Sequence, residues 1–83
     1  MERLDGNAAA GILLEVFARE MTTAMETCAT CGATGAVGAA YVYMGGMGTV
    51  LRCPSCDNVL MCIVQAGEHL HVDLSGLRRI ELR

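Results

Sequence analysis

Two Cys-x-x-Cys pairs constrain this 83-residue chain more than any other feature. They are Cys28-Ala29-Thr30-Cys31 and Cys53-Pro54-Ser55-Cys56, and 21 residues separate them, which is close to the spacing of four-cysteine zinc sites. Each pair can turn two thiolates toward one ion, and two such turns complete the tetrahedral ligand set that zinc takes in structural sites. The sequence therefore predicts one structural zinc site whose ligands are Cys28, Cys31, Cys53 and Cys56.

Four thiolates on paired turns also hold iron in rubredoxins, where the site carries one electron. Asp57 follows the second pair where a rubredoxin turn has glycine, and the chain has only one Phe, two Tyr and no Trp. We therefore expect zinc and keep a rubredoxin-like iron electron carrier, serving an oxidoreductase, as the alternative. The five cysteines are an odd number, which disfavours a disulfide framework, and a redox Cys-x-x-Cys would leave the second pair unexplained.

Composition and charge exclude several classes of protein. The chain is 53% hydrophobic and 18% charged, which is too apolar for a disordered segment. Its net charge of −3 makes nucleic acid an unlikely partner. The longest uncharged stretch, residues 27–51, contains six glycines and is a poor membrane span. We expect no signal peptide and no membrane segment, and hence a cytoplasmic protein.

The periodicity of apolar residues predicts an α+β fold: a small, zinc-ribbon-like antiparallel sheet with an N-terminal α-helix. One domain covers residues 1–83, with a helical segment at 1–22 and the four-cysteine ribbon and a C-terminal hairpin at 23–83. The Gly-rich run at 45–48 predicts the turn of the first hairpin. The expected elements are a helix at Ala8–Met21 and strands at Ala24–Thr27, Ala39–Met44, Thr49–Cys53, Val59–Val64, His69–Leu74 and Arg79–Leu82.

The predicted helix has an apolar surface wider than one packing stripe requires. Leu13, Leu14, Phe17 and Met21 are the side chains expected on that surface. Apolar area of this extent on a small domain suggests a protein partner or a homo-oligomer. We therefore expect an interaction module or accessory subunit that contacts its partner through this helix.

No arrangement of residues in the sequence indicates an enzyme. A four-thiolate site leaves no open position for a reactive water, and no catalytic serine, P-loop or dinucleotide-binding motif is present. Cys62, in an apolar run, is expected to be a buried structural thiol. His69, His71 and Asp73 alternate with apolar residues and are expected to form a solvated strand face rather than a second metal site.

Several segments together resemble a known family. Leu4-Asp5-Gly6-Asn7-Ala8, the Cys28–Gly32 turn, Arg52–Leu60 and Val72–Gly76 are similar to those of a small actinobacterial zinc-ribbon family catalogued as a domain of unknown function. The resemblance covers nearly the whole chain. It implies a zinc-ribbon fold and assigns neither an activity nor a role for Leu4–Asn7.

Overall fold

Short runs of apolar and alternating residues form eight β-strands and one α-helix in the part of the chain that the structure describes. The computed structural model describes residues 3–46 and 48–82. Two 3-10 turns, Gly6–Ala9 and Val37–Ala39, precede the helix and β4. The elements are β1 (Arg3–Asp5), α1 (Ala10–Phe17), β2 (Met25–Cys28), β3 (Thr34–Ala36), β4 (Tyr41–Gly45), β5 (Gly48–Arg52), β6 (Val59–Ala66), β7 (His69–Asp73) and β8 (Leu77–Glu81).

The strands form two antiparallel sheets. The larger has the order β1-β4-β5-β6-β7, and the smaller has the order β3-β2-β8. This arrangement confirms the predicted α+β class and is consistent with a small zinc-ribbon-like fold. It differs from the prediction in dividing the strands between two sheets.

One cluster of small and aliphatic side chains joins the two sheets and the helix. On the inward face of the larger sheet, Leu51 lies opposite both Val42 and Met61, and none of the three is exposed. Because the core contains no large aromatic ring, close packing depends on many small contacts. The buried members are Ala9, Leu13, Met21, Ala24, Cys28, Val37, Ala40, Val42, Leu51, Cys53, Leu60, Met61 and Ile63.

The helix is shorter than predicted, and this changes its surface. It ends at Phe17 because Ala18 takes a left-handed conformation (φ 58°) and donates its N–H to the Leu14 carbonyl. The Glu20 carboxylate then accepts the Thr22 N–H at 2.8 Å, which stabilises a turn in place of further helix. The expected helix at Ala8–Met21 was therefore wrong at both ends. Among residues 3–46 and 48–82, no helix has the length and apolar character needed to cross a membrane.

The C-terminal hairpin was also predicted wrongly. β7 pairs with β6, and the turn between them contains Gly67 at φ +62°. β8 leaves that sheet and pairs with β2. The predicted turn at Ser75-Gly76 is a crossing between the sheets, where the Asp73 carboxylate accepts the Ser75 N–H at 2.8 Å. The first hairpin is confirmed as β4 and β5, although Met47 of its predicted turn lies outside the described residues.

The structure gives the Leu4–Asn7 segment a role in packing. Leu4 pairs with Val42 in the sheet, and the Asp5 carboxylate accepts the Asn7 N–H at 3.1 Å, which caps the first 3-10 turn. Gly6 lies so close to the second 3-10 turn that an added Cβ would stand 1.9 Å from the Val37 carbonyl oxygen. The segment therefore docks backbone against backbone, and only glycine fits at the contact.

Replacing Gly6 with alanine should lower the free energy of unfolding by about 3 kcal/mol or more, since the methyl group must displace the main chain rather than a flexible side chain. Urea unfolding measures the change. Gly11→Ala is the matched control, because no atom lies within 4 Å of an added Cβ at that exposed helical position. It should be neutral or stabilising. Equal stability of the two variants would contradict the close contact at Gly6.

Candidate metal centre

The two Cys-x-x-Cys turns have the same backbone geometry. In the first, Gly32 donates its N–H to the Cys28 carbonyl, and the Ala33 carbonyl accepts the Cys28 N–H. In the second, Asp57 and Asn58 make the same two bonds with Cys53. Gly32 (φ +77°) and Asp57 (φ +64°) occupy equivalent left-handed positions, which cost a side-chain-bearing residue more than glycine. The repeated turn presents its two thiols in the same way each time.

The fold brings all four predicted ligands together. Their Sγ atoms lie within 4.8 Å of one another, and Cys28 Sγ to Cys56 Sγ and Cys31 Sγ to Cys53 Sγ are both 3.7 Å. A disulfide needs about 2.05 Å between sulfurs, whereas four sulfurs around one zinc at about 2.3 Å lie about 3.8 Å apart. The cluster therefore fits a single tetrahedral ion and does not fit two disulfides.

Hydrogen bonds prepare one sulfur to be a thiolate. The pKa of Cys28 is lowered to about 6, chiefly by N–H donation from the Cys31 backbone, with further donation from the Thr30 backbone and the Asn58 side chain. Donation from the Asn58 backbone acts in the same direction on Cys56, but desolvation and the neighbouring sulfurs outweigh it and raise the pKa of Cys56 to about 12. The sulfurs thus compete for protons, and a divalent ion that binds all four must displace the remaining protons.

An acidic side chain lies beside the sulfurs. Glu26 is two residues before Cys28 on β2, and alternation places both on the inward face of that strand. Glu26 is only 4% exposed, and its Oε1 has no hydrogen-bond partner among the described residues. Burial and, secondarily, the charge of Cys28 raise the pKa of Glu26 to about 7. Glu26 lines a cavity of about 60 Å³ that Cys28 and Cys53 also line.

Comparison with protein-family models gives one match. The model described as "Family of unknown function (DUF6510)" matches residues 1–83. The chain belongs to that family. The resemblance to a domain of unknown function is thereby confirmed. No curated protein matches the chain, and no solved structure matches it.

In this DUF6510 chain, the other residues considered from the sequence lie apart from the sulfur cluster. Cys62 is on the outer face of β6 and is half-buried rather than buried, so the expected interior thiol was wrong. His69, His71 and Asp73 are all exposed on β7, as expected of a solvated strand face.

Glu26 is the residue that sequence reasoning missed. The signal was present: once Cys28 points inward, the period of two in a strand places Glu26 and Ala24 inward as well. Charged residues usually lie on the surface. Because β2 is short, its alternation is too brief to predict that Glu26 is buried. In the structure β2 is the central strand of the smaller sheet, between β3 and β8, and Glu26 is buried there.

Glu26→Gln should stabilise the protein, and more so at higher pH. The raised pKa means that the folded state holds this proton more tightly than the unfolded state. Ionisation of Glu26 therefore does not lower the free energy of unfolding below about pH 4.5. The loss grows between about pH 4.5 and about pH 7, and it levels off at about 3 kcal/mol at higher pH. Between pH 6 and pH 8 the advantage of the glutamine variant should grow by about 1 kcal/mol.

Urea unfolding of both proteins at pH 6 and pH 8, with the same buffer and added metal in every sample, measures this difference. Glu68→Gln, on the exposed turn after β6, is the control and should show no such trend. If the stability advantage of Glu26→Gln became smaller as the pH rises, burial could not be the cause of the raised pKa of Glu26.

Proposed function

We propose that the protein is a small, non-catalytic zinc-binding module that acts by contacting another protein chain. The observation that carries the proposal is the set of four sulfurs within 4.8 Å of one another. Four thiolate ligands fill the coordination shell of zinc, which leaves no position for substrate or for a reactive water. Reduced thiolates are maintained in reducing compartments, which supports a cytoplasmic location.

The position of the cysteines supports a structural role for the ion. Cys28 ends β2 of the smaller sheet, whereas Cys53 directly follows β5 of the larger sheet. An ion bound by both turns therefore ties the two sheets together at one point. Structural zinc contributes on the order of 10 kcal/mol to the folding of small domains, which equals the whole net stability of many domains.

The purified protein should contain one zinc per chain and should unfold when a strong chelator removes it. Elemental analysis and circular dichroism before and after chelation measure this. Cys53→Ser should lose both zinc and folded structure, while Cys62→Ser is the matched control that should keep both, because its thiol is outside the cluster. A protein that stays equally folded after complete removal of metal would falsify the structural role.

Iron is the second candidate, and the exposure of two ligand residues favours it. Cys31 and Cys56 are both exposed, so electrons could pass between the site and a partner over a short distance. N–H···S contacts such as Thr30 to Cys28, at 3.4 Å, also tune the potential of iron–sulfur centres. Protein from iron-replete cells should be colourless if the ion is zinc. Visible absorption that bleaches on reduction, with iron by elemental analysis, would instead support the electron carrier.

The helix surface proposed from the sequence as the partner face is mostly buried within the chain. Leu13 and Met21 are completely buried in the core, and Phe17 is half-buried against it, which leaves only Leu14 well exposed at 52%. A single leucine is too small a surface for stable association. The interaction through the helix stays a prediction, and the burial of these side chains favours another surface for the partner.

The outer face of the five-stranded sheet is a better candidate. Its middle row runs across all five strands as Arg3, Tyr43, Val50, Cys62 and Asp73. The three central side chains are half-buried and the two terminal ones are exposed. Donation from Ser75 lowers the pKa of Asp73, so this end of the row is an anion at neutral pH. The row thus begins with a cation, ends with an anion and is mainly apolar between them.

Such a row is complementary to itself. A two-fold axis along β5 reverses the row in the second copy, so that Arg3 faces Asp73 of that copy while Val50 faces Val50. Apolar side chains would then meet at the centre and opposite charges at the rim, as in typical interfaces. The partner that we propose is therefore a second copy of this chain, stacked sheet to sheet.

Light scattering should give twice the chain mass at micromolar concentrations. Arg3→Asp and Asp73→Arg should each shift the protein toward monomer through like-charge contacts, and the double variant should restore the dimer by exchanging the two charges. Leu14→Glu should leave the dimer intact. A monomer at all concentrations, or dissociation by Leu14→Glu alone, would reject the sheet-to-sheet dimer.

A further inference from the structure

The cavity beside Glu26 has the features of a binding site that adjoins the candidate metal centre through Cys28 and Cys53. The Glu26 side chain is 96% buried, yet its Oε1 has no donor among the described residues. A buried carboxylate oxygen without a donor is costly, and native structures rarely leave one unsatisfied. The cavity that Glu26 lines, about 60 Å³, provides the space from which a donor can reach it.

The shape of the cavity depends on the absence of side chains. Gly35 on β3 is the direct cross-strand partner of Glu26, and an added Cβ at Gly35 would meet no atom within 4 Å. Ala33, Ala36 and Ala39 also line the space. Since each water-sized position needs about 10–15 Å³, the cavity of about 60 Å³ has room for about four to six such positions, which is enough for a planar guanidinium group.

The charge of the cavity favours a cation. Its lining includes Glu26, Cys28 and Cys53, and no basic residue is among the lining residues that the structure describes. Four thiolates bound to one divalent ion keep a net negative charge, which adds to that of the carboxylate. Any ligand that enters therefore meets both hydrogen-bond acceptors and small apolar groups.

Among cations, a guanidinium group fits these walls best. It is planar, weakly hydrated and able to donate several hydrogen bonds at once, so it loses little on leaving water and can satisfy carboxylate and sulfur together. An ammonium group is more strongly hydrated. Calcium and magnesium require several oxygen ligands, whereas Glu26 is the one carboxylate among the described residues that line this cavity. We propose that the cavity beside Glu26 binds a guanidinium group.

Two sources could supply the group: a small guanidinium compound or an arginine side chain of another protein. Titrations of the zinc-loaded full chain, followed by amide NMR shifts at Gly35 and Ala36, distinguish them. The probes are N-acetyl-arginine amide, its citrulline and lysine counterparts, and a five-residue peptide with arginine at its centre. The arginine amide should give saturable shifts, and the neutral citrulline and the lysine should bind at least tenfold more weakly.

The source is read from the peptide. Binding at least tenfold tighter than that of the arginine amide assigns the site to a protein ligand, because the flanking peptide then adds contacts. Equal binding assigns it to a small compound. Both results support a guanidinium site. Citrulline or lysine that binds as tightly as arginine, or the absence of saturable shifts with every probe, would overturn it.

Two variants test the cavity itself. Glu26→Gln should weaken binding of the arginine amide about ten- to a hundredfold, since it removes one charged partner of the hydrogen bonds. Gly35→Val should abolish binding by filling the space, and the strand backbone at Gly35 accepts a β-branched residue. Glu68→Gln is the matched control and should bind as the parent does. Zinc content and circular dichroism verify that each variant is folded, and unchanged affinity in both cavity variants would refute the proposal.

Discussion

The convergence of four sulfurs is the constraint on which the rest of the structure depends. The smaller sheet has three strands of three to five residues, and strands of this length with few neighbours are marginal in water. The larger sheet buries one face only. The Cys28 and Cys53 turns join the two sheets at their ends, and the buried residues around them come from both. Each sheet therefore covers one face of the other, and an ion bound by both cysteine turns would fix the distance between the two sheets.

The connection between β7 and β8 also stabilises the contact between the two sheets, although it belongs to neither cysteine turn. The Gly76 carbonyl accepts the Ala29 N–H at 2.9 Å, within the first turn. An added Cβ at Gly76 would lie 1.7 Å from the Val59 carbonyl oxygen, just after the second turn. One glycine thus contacts the backbone on both sides of the sulfur cluster. The crossing that directs β8 to the smaller sheet also helps to position the ligands.

The ligands and the longer strands could be predicted from sequence because their signals are local. Cysteine spacing, the alternation at Ala39–Met44 and the continuous apolar run at Val59–Val64 are signals that extend over a few residues. β1 and β3 could not be recognised, since three residues show too little alternation. The pairing of β8 with β2 depends on a close backbone approach at Gly76, which a sequence does not display. The helix end at Phe17 likewise follows from Ala18 in a conformation that alanine seldom takes.

The candidate metal centre and the cavity differ in the residue that each requires at position 26. A four-thiolate site is complete without a carboxylate, and the negative charge beside it opposes ionisation of Glu26. An alanine or valine at that position would extend the apolar inward face of β2 at no electrostatic cost. A buried acid opposite Gly35, beside an open cavity, instead lowers the stability of the unliganded protein. Binding of a cation there would satisfy the carboxylate and offset the charge of the sulfurs in one step.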